Sequence, residues 1–261
     1  MIRHINAALA FAAVLFAPIA ASAGAPSSGF AALRERVLHP PPGYVVVVAH
    51  RACFAAAPEN SPEAIETCAR LGVEVVENDV RSTKDGELVV MHDDTVNRTT
   101  NGWGYLNDLT MADLAKLRLR DGEGGPAAAV TNIPVTTLRA YYRAAKGKVM
   151  INLELKPSLA ANFEILLQKS LRIAAEEGVL GQILLKVPDQ MSHGKLASKH
   201  ILSTIAPPQW SGGLSDQVSM SDPEAGWGKL LGLGASVIMT DHPEYLLRYL
   251  EKTGRRGATS P

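Results

Sequence analysis

Short apolar segments alternate with amphipathic segments along most of this chain, and this alternation restricts the possible folds more than any other feature. Residues 45–49 form an uninterrupted apolar run, which is typical of a strand buried on both faces. Ser61 and Pro62 then start a predicted helix that ends at Gly72, and a second strand is predicted over 73–80. Strands and helices in this order build a parallel sheet covered by helices, so we predict one α/β domain.

The alternation is interrupted once and then resumes. A predicted tight turn at 84–86 leaves no room for a crossover helix, so residues 88–92 are expected to pair antiparallel with the second strand. Residues 97–134 are rich in Gly, Asn, Thr and Asp, which indicates an insertion with one short helix near 111–117. Beyond it we predict helices over 135–145, 159–177 and 243–250, and strands over 149–156, 183–187, 201–205 and 236–240.

Both ends of the chain are expected to lie outside the folded domain. Arg3 precedes an apolar stretch that is too short to span a bilayer and ends in small residues at 21–23. This pattern predicts a cleavable signal peptide over 1–23, a periplasmic or secreted protein, and no stable membrane anchor. Residues 253–261 lack apolar periodicity and are predicted to be a disordered tail, which leaves 24–252 for the domain.

The balance of charges argues against nucleic acid as a partner. The chain has 26 Lys and Arg residues and 26 Asp and Glu residues, and loss of the signal peptide would remove only Arg3 from this balance. A chain with a net charge so close to zero has no broad positive field that would gather nucleic acid or an anionic membrane.

Two cysteines, Cys53 and Cys68, would meet an oxidising environment after export. A chain of this length can fold without a disulfide, and the sequence does not show the separation of the two Cα atoms. The sequence therefore leaves their pairing open.

Carboxylate side chains interrupt two predicted strands near their carboxyl ends. Glu77 and Asp79 are two residues apart, so strand periodicity places both on one face, about 6–7 Å apart. Glu154 shares a face with Asn152 and Lys156, whereas the alternate positions of that strand are apolar. Clustered carboxylates repel one another unless a cation lies between them, and their hard oxygens suit Mg²⁺ or Ca²⁺. We therefore predict one divalent cation held by Glu77, Asp79 and Glu154.

Histidines follow two other predicted strands. His50 closes the first strand and precedes Arg51, whose planar cationic group suits phosphate oxygens. His92 ends the predicted hairpin strand. Two histidines beside a carboxylate cluster are suited to act as a general acid and a general base near neutral pH.

Motifs around these residues resemble those of the glycerophosphodiester phosphodiesterase family in order and approximate spacing. They are His50-Arg51-Ala52, Pro58-Glu59-Asn60-Ser61, Glu77-Asn78-Asp79-Val80, Thr83-Lys84-Asp85-Gly86, Val90-Met91-His92-Asp93, Asn97-Arg98-Thr99-Thr100-Asn101-Gly102, Ile133-Pro134, Glu154-Leu155-Lys156 and Thr240-Asp241-His242-Pro243. The resemblance is specific from His50 to Lys156, and fewer motifs match beyond Lys156.

The resemblance implies a fold and a reaction. The fold is a TIM-type (β/α) barrel with a small insertion after the second strand, at about 81–134. The reaction is the hydrolysis of a glycerophosphodiester to glycerol phosphate and an alcohol, a step of lipid metabolism. The implied roles are metal ligation by Glu77, Asp79 and Glu154, acid–base catalysis by His50 and His92, and phosphate binding by Arg51 and Lys156.

Two features depart from the family pattern. Ala52 stands where the family usually has glycine, which would cost about 1 kcal/mol or more if that position needs a positive φ. The segment between Lys186 and Ser236 has room for fewer strand and helix units than an eight-stranded barrel needs. The sequence therefore leaves two alternatives open, a closed barrel and a barrel that is incomplete in its C-terminal half. Trp210 is a candidate remnant of a late family strand.

Three interpretations of the site remain open from the sequence. The first is the phosphodiesterase, and the second is a catalytically impaired barrel that binds phosphodiester ligands. The third is a carbohydrate-active barrel that uses Glu77 and Glu154 as its carboxylate pair, but it leaves Arg51 and the two histidines without a role. The leaving alcohol, the choice between Mg²⁺ and Ca²⁺, and the oligomeric state are not determined. Trp103 and Tyr105 are candidates for the mouth of the site.

Overall fold

The computed structural model of the chain describes residues 28–159, 162–186, 202–203, 209–211 and 214–256. Its helices are α1 Ser28–Leu38, α2 Pro62–Leu71, α3 Met111–Leu114, α4 Leu138–Ala145, α5 Phe163–Glu177, α6 Leu214–Ser221, α7 Lys229–Gly232 and α8 Pro243–Lys252. Its strands are β1 Val46–Ala49, β2 Val75–Ser82, β3 Leu88–Val90, β4 Arg118–Arg120, β5 Val130–Pro134, β6 Met150–Leu155, β7 Ile183–Lys186, β8 Leu202–Ser203, β9 Gln209–Ser211 and β10 Val237–Thr240. The predicted signal peptide, 1–23, lies outside the described residues. In the described part of the chain, no helix combines the length and apolarity needed to cross a membrane.

Seven strands form a parallel sheet in the order β8, β7, β6, β2, β1, β10, β9. β1 and β10 are neighbours although they lie at opposite ends of the domain, which is the pairing expected when the first and last strands of a barrel meet. Within the described residues no ladder joins β8 to β9. Residues 187–201 and 204–208, which border this place, lie outside the described part, so the incomplete C-terminal half of the barrel stays a prediction.

The predicted hairpin and insertion are both present. Strand β3 pairs antiparallel with the end of β2, as the short turn at 84–86 requires. Beyond β3, strands β4 and β5 pair antiparallel and form a small sheet of their own, which the sequence analysis did not predict. The insertion has its own apolar cluster, built from Val89, Met91, Val96, Leu106, Leu114, Leu119 and Val135.

Alternation along the barrel strands separates an outer apolar layer from an inner polar one. On β6, Ile151, Leu153 and Leu155 pack in the main core with residues of α2, α4 and α8. Met150 belongs to a different cluster, on the opposite face, together with Val46 of β1. Residues at alternate positions point to opposite faces, so the predicted separation of faces on β6 is confirmed.

The amino-terminal ends of the strands are covered by α1, a helix the sequence analysis did not predict. Phe30 of α1 is buried in one cluster with Val46, Val75 and Met150, and Leu33 packs against the same group. The opposite, carboxyl ends are left for the polar residues of the site. This is the end of a barrel at which active sites are found.

The predicted disordered tail, 253–261, includes residues that belong to the folded domain. Thr253–Arg256 continue from α8, and the side chain of Arg256 is buried. Arg256 donates from Nη1 to Glu74 Oε2 at 2.9 Å and from Nη2 to the carbonyl oxygen of Gly72 at 3.0 Å. Glu74 is fully buried, and a buried carboxylate requires a partner of this kind. Residues 257–261 lie outside the described residues.

A disulfide joins Cys53, in the loop after β1, to Cys68 of α2, with the two Cα atoms 5.3 Å apart. The helix is well capped, as predicted. The Ser61 hydroxyl accepts a hydrogen bond from the Ala64 N–H at 3.1 Å, and Gly72 ends the helix with a φ of 76°. These contacts fix the loop that carries Arg51 and Glu59 between two anchored ends.

Candidate active site

Three carboxylates converge at the carboxyl ends of two neighbouring strands. Strands β2 and β6 pair in parallel with Asp79 opposite Glu154, and Glu77 precedes Asp79 by two positions. One oxygen from each of Glu77, Asp79 and Glu154 lies within 4.8 Å of the others. The predicted convergence on the inner face of the sheet is therefore confirmed.

The surroundings of Glu77 fit a bound cation. Its side chain is fully buried, and only Oε2 has a hydrogen-bond donor, the Arg51 N–H at 3.1 Å. Oε1 has no hydrogen-bond partner among the described residues, which is costly for a buried carboxylate oxygen. Burial raises the pKa of the Glu77 carboxyl well above its usual range, and the charges of Asp79 and Glu154 raise it further. A divalent cation would relieve both conditions, and three carboxylates are the donor set that Mg²⁺ and Ca²⁺ prefer.

Two lysines stand beside the carboxylates. Lys156 Nζ lies 3.2 Å from Asp79 Oδ1 and 3.2 Å from Glu154 Oε1. Lys186, at the end of β7, donates a hydrogen bond to Glu154 Oε2. Burial opposes ionisation of Glu154, but the hydrogen bond and charge of Lys186 and the charge of Lys156 outweigh it and lower the pKa of Glu154 to about 2. Lys156 is one of the predicted site residues, whereas Lys186 is not. Lys186 faces Glu154 in the parallel register of β6 and β7.

His50 is held by a residue from the other end of the chain. Its Nδ1 lies 2.6 Å from Asp241 Oδ1, and Asp241 directly follows β10, the neighbour of β1. Asp216 accepts a hydrogen bond from the Asp241 N–H at 2.9 Å and so fixes that loop. Burial of Asp241 opposes ionisation, but the hydrogen bond from His50 outweighs it and leaves the pKa of Asp241 below its ordinary value.

His92 has an equivalent partner close to it in sequence. Its Nδ1 lies 2.9 Å from Asp93 Oδ1, and the Met91 N–H donates to the Asp79 carbonyl oxygen at 2.8 Å, which places His92 next to the end of β2. Arg98 donates from Nε to Asp93 Oδ2 at 2.8 Å and from Nη2 to Asp93 Oδ1 at 2.9 Å. These bonds from Arg98 hold the pKa of Asp93 well below its usual range.

Arg51 lies in a strained loop above the carboxylates. Its Nη1 is 3.2 Å from Glu59 Oε2, and its Nε is 3.9 Å from Asp79 Oδ2. Arg51, Ala52 and Asn60 have φ values of 53°, 64° and 58°, a region that costs a non-glycine residue about 1–2 kcal/mol. The position occupied by Ala52 therefore does require a positive φ, and the alanine adopts it while fully buried.

Of the predicted residues, Arg51, Glu77, Asp79, Glu154 and Lys156 are brought into direct contact with one another. His50 and His92 lie at the same end of the sheet, each with its own aspartate, and it stays a prediction that they flank the metal cavity. Glu59, Asp93, Arg98 and Asp241 stood inside the motifs quoted from the sequence, yet no role was predicted for them. The sequence feature that could have identified Asp93 and Asp241 is an aspartate next to a histidine, His92 or His242, at the end of a predicted strand.

Comparisons with known proteins agree with this arrangement. Residues 50–179 match the model of the glycerophosphoryl diester phosphodiesterase family, and residues 196–250 match a domain of unknown function. The glycerophosphodiester phosphodiesterase of Caldanaerobacter subterraneus is 47% identical over 72 residues, which cover 28% of this chain and 30% of the relative. That of Bacillus subtilis is 42% identical over 76 residues, which cover 29% of this chain and 26% of the relative. The chain thus spans less than half the length of these curated relatives.

A solved structure shows the fold over a longer range. A phosphodiesterase from Oleispira antarctica, in complex with the product sn-glycerol-3-phosphate, aligns with a TM-score of 0.57 over 80% of this chain and 97% of that chain, at 20% identity. The predicted TIM-type barrel is thereby confirmed. The motifs from His50 onward, the carboxylate cluster and the family match coincide in one part of the molecule. Residues 50–179 of this chain therefore form a segment of the glycerophosphoryl diester phosphodiesterase family.

Proposed function

We propose that this chain hydrolyses glycerophosphodiesters to glycerol phosphate and an alcohol with the help of one divalent cation, Mg²⁺ or Ca²⁺. The observation that carries the proposal is the convergence of Glu77, Asp79 and Glu154, with oxygens within 4.8 Å of one another beside Lys156. The family match over 50–179 supports this reaction. The sn-glycerol-3-phosphate bound by the Oleispira antarctica protein is a product of the expected type.

Glu77, Asp79 and Glu154 would hold the cation. When bound, the cation would neutralise a non-bridging phosphate oxygen and make the phosphorus more open to attack. The unpartnered Oε1 of buried Glu77 supports its assignment as a ligand.

Arg51 and Lys156 are the proposed phosphate-binding residues. The Nε of Arg51 is buried and lacks a hydrogen-bond partner among the described residues, so it retains donor capacity. The ammonium group of Lys156 already lies between two carboxylates at 3.2 Å, and this proximity raises its pKa although burial acts in the opposite direction. Lys156 is therefore charged at neutral pH and can contact a second phosphate oxygen.

His50 and His92 are the proposed acid and base. Asp241 and Asp93 each contact an Nδ1 atom, which favours the tautomer that carries its proton there and leaves Nε2 to exchange a proton with the substrate. One histidine would take a proton from the attacking water. The other would give a proton to the alcohol oxygen as its bond to phosphorus breaks, because an alkoxide is a poor leaving group.

The proposed function is tested by a hydrolysis assay of the purified, metal-stripped protein with glycerophosphodiesters of choline, ethanolamine, glycerol and inositol as substrates. Mg²⁺ and Ca²⁺ are added back separately. Release of glycerol phosphate only after addition of a cation supports the proposal. Tight binding of a substrate without turnover under any condition would instead favour the alternative, a barrel that binds phosphodiesters and has lost catalysis.

We also propose that the protein works in the periplasm or outside the cell. Two observations support this location: the signal-peptide pattern of residues 1–23, and the disulfide between Cys53 and Cys68, a bond that persists in oxidising compartments. N-terminal sequencing of protein from an extracytoplasmic fraction should start at about residue 24. Recovery of only the uncleaved chain from the cytoplasmic fraction would contradict the proposal.

A further inference from the structure

A groove of about 630 Å³ runs beside the candidate site, between the β2–β3 hairpin, the insertion and α5. Leu88 lines it from the hairpin, Tyr105 and Asn107 from the insertion, and Asn162 and Ile165 from the start of α5. Tyr105 and Ile165 are more than half exposed, so the groove is open to solvent along one side. Its volume is that of a small-molecule site.

The charges that line the groove are strongly unequal. Four cationic side chains, Arg81, Lys84, Lys156 and Lys169, face one carboxylate, Asp94. The chain as a whole has equal numbers of the two signs. Because Lys156 is offset by Asp79 and Glu154, the other three cations leave an excess of two positive charges over Asp94 in the groove. Charge of one sign in a cleft raises the local concentration of ligands of the other sign.

The near end of the groove meets the candidate catalytic residues. Lys156 lines the groove and also contacts Asp79 and Glu154. Arg81 donates from Nε and Nη2 to the carbonyl oxygen of His92, at 2.9 and 2.8 Å. A ligand whose phosphate lies at the carboxylate cluster can therefore extend directly into the groove.

The far end is formed by Lys84 and Lys169. Lys169 Nζ donates to the carbonyl oxygen of Gly86 at 3.1 Å, and Lys84 lies in the same hairpin turn. Neither lysine forms an ion pair with a carboxylate among the described residues. The neighbouring Asp85 is held by other donors, because its two oxygens accept from the Met111 N–H at 3.0 and 3.2 Å and Oδ1 also accepts from the Thr83 hydroxyl at 2.6 Å.

The far end of the groove lies too far from Lys156 to contact the phosphate that is cleaved, but a group on the leaving alcohol can reach it. The Lys156 N–H donates to the carbonyl oxygen of Val80 at 2.9 Å, so Lys156 lies level with Val80. From Val80 to Lys84 the chain advances at most about 13 Å, because it is extended at ~3.3 Å per residue only to Ser82 and then enters the turn. Flexible lysine side chains at the far end can shorten this span to meet a group on the alcohol.

We propose that the groove binds the leaving alcohol, and that the chain prefers glycerophosphodiesters whose alcohol carries a second phosphate. This inference rests on the proposed function. The cations at the far end attract such an alcohol, whereas they repel the cationic head of choline or ethanolamine. These cations do not increase the affinity for a neutral alcohol.

The test uses two substrates that differ only in the distal phosphate: glycerophosphoglycerol and glycerophosphoglycerol phosphorylated on its terminal hydroxyl. The wild-type protein should show a higher kcat/KM for the phosphorylated compound, and added NaCl should reduce this preference. Reversing both charges in Lys84→Glu/Lys169→Glu should lower kcat/KM for the phosphorylated compound roughly tenfold, since each partly exposed charge contributes only a few-fold. The value for glycerophosphoglycerol should stay within about twofold.

Lys252→Glu, a change of the same charge on exposed α8, is the matched control and should leave the preference intact. Equal kcat/KM values for both compounds in the wild type, or an unchanged preference in the double variant, would overturn the inference. If neither compound is hydrolysed with Mg²⁺ or Ca²⁺, the proposed function fails. In that case, calorimetric titration of the same two compounds tests whether the groove binds the distal phosphate. Tighter binding of the phosphorylated compound, lost in the double variant, supports the inference. Equal affinities for the two compounds overturn it.

Discussion

Arg98 holds Glu59 with two hydrogen bonds, Nη1 to Oε2 and Nη2 to Oε1, both at 2.9 Å. The same guanidinium holds Asp93 with two more bonds, and Glu59 also contacts Arg51 at 3.2 Å. The loop that carries the proposed phosphate-binding arginine is therefore linked to the loop that carries His92 through one planar cation. Such bidentate pairs fix the orientation of both side chains and also stabilise the contact.

Arg98→Lys should therefore reduce activity although the charge is kept. A lysine cannot make the two paired contacts at once, so Asp93 and His92 lose their fixed orientation. We expect kcat to fall more than KM rises, and the free energy of unfolding to fall by about 2 kcal/mol because a largely buried network is broken. Steady-state kinetics and urea unfolding measure the two effects. Arg118→Lys in the insertion is the control, and equal losses in both variants would contradict a specific role of Arg98.

The two histidines should differ in their response to the leaving group. His50→Ala and His92→Ala should each lower turnover of a natural substrate by about 10²–10⁴-fold while substrate binding persists. A p-nitrophenyl ester needs little protonation of its leaving group, so it should restore the variant that lacks the general acid and not the other. Equal losses of both variants on both substrates would exclude this division of roles.

Glu154→Gln should act through the cation. It removes one charged ligand, so the affinity for Mg²⁺ or Ca²⁺ should fall and part of the lost rate should return at high cation concentration. Calorimetric titration of the cation into the metal-stripped protein gives a readout that does not depend on activity. Glu164→Gln, on the exposed start of α5, is the matched control. A Glu154→Gln variant with unchanged cation affinity would remove this residue from the ligand set.

Asp93 should make stability depend on pH in acid. The hydrogen bonds from Arg98 lower its folded-state pKa, so the stabilisation is fully present above the unfolded pKa of about 4 and is lost as the pH falls through the folded value. Urea unfolding between pH 6 and pH 3 should therefore show a falling free energy of unfolding. In Asp93→Asn this fall should be shallower, because one of the contributing carboxylates is absent. Identical slopes for the two proteins would show that Asp93 does not contribute.

Arg256 should be needed for stability although it lies near the carboxyl end. It is a partner of the buried Glu74, which also accepts hydrogen bonds from Tyr44 and the Val47 N–H. Deleting residues 256–261 should lower the free energy of unfolding by about 2–4 kcal/mol, because buried Glu74 loses its nearer charged partner and keeps Arg36, whose Nε lies 3.9 Å from Oε1. Deletion of 257–261 alone keeps Arg256 and serves as the control. The same melting temperature for both truncations would show that the ion pair contributes little.

Local patterns in the sequence were sufficient to predict the barrel strands through β6, the antiparallel hairpin, and the grouping of Glu77, Asp79 and Glu154. These features follow from short-range periodicity: alternate residues of a strand share a face, and a three-residue turn cannot hold a crossover helix. The cost at Ala52 was stated only on the condition of a positive φ, a condition suggested by the glycine usual in the family, and the structure meets it with a φ of 64°.

The partners of these residues, by contrast, come from distant parts of the chain and could not be predicted from local patterns. Asp241 reaches His50 across 191 positions of the chain, and it does so because β10 closes against β1. Lys186 meets Glu154 through the register of β6 and β7, and Arg256 meets Glu74 through the position of α8. Contacts of this kind have no local pattern, since they depend on how distant strands and helices pack. Local periodicity therefore determined which side chains enter the site, and packing over long distances decided what each of them touches.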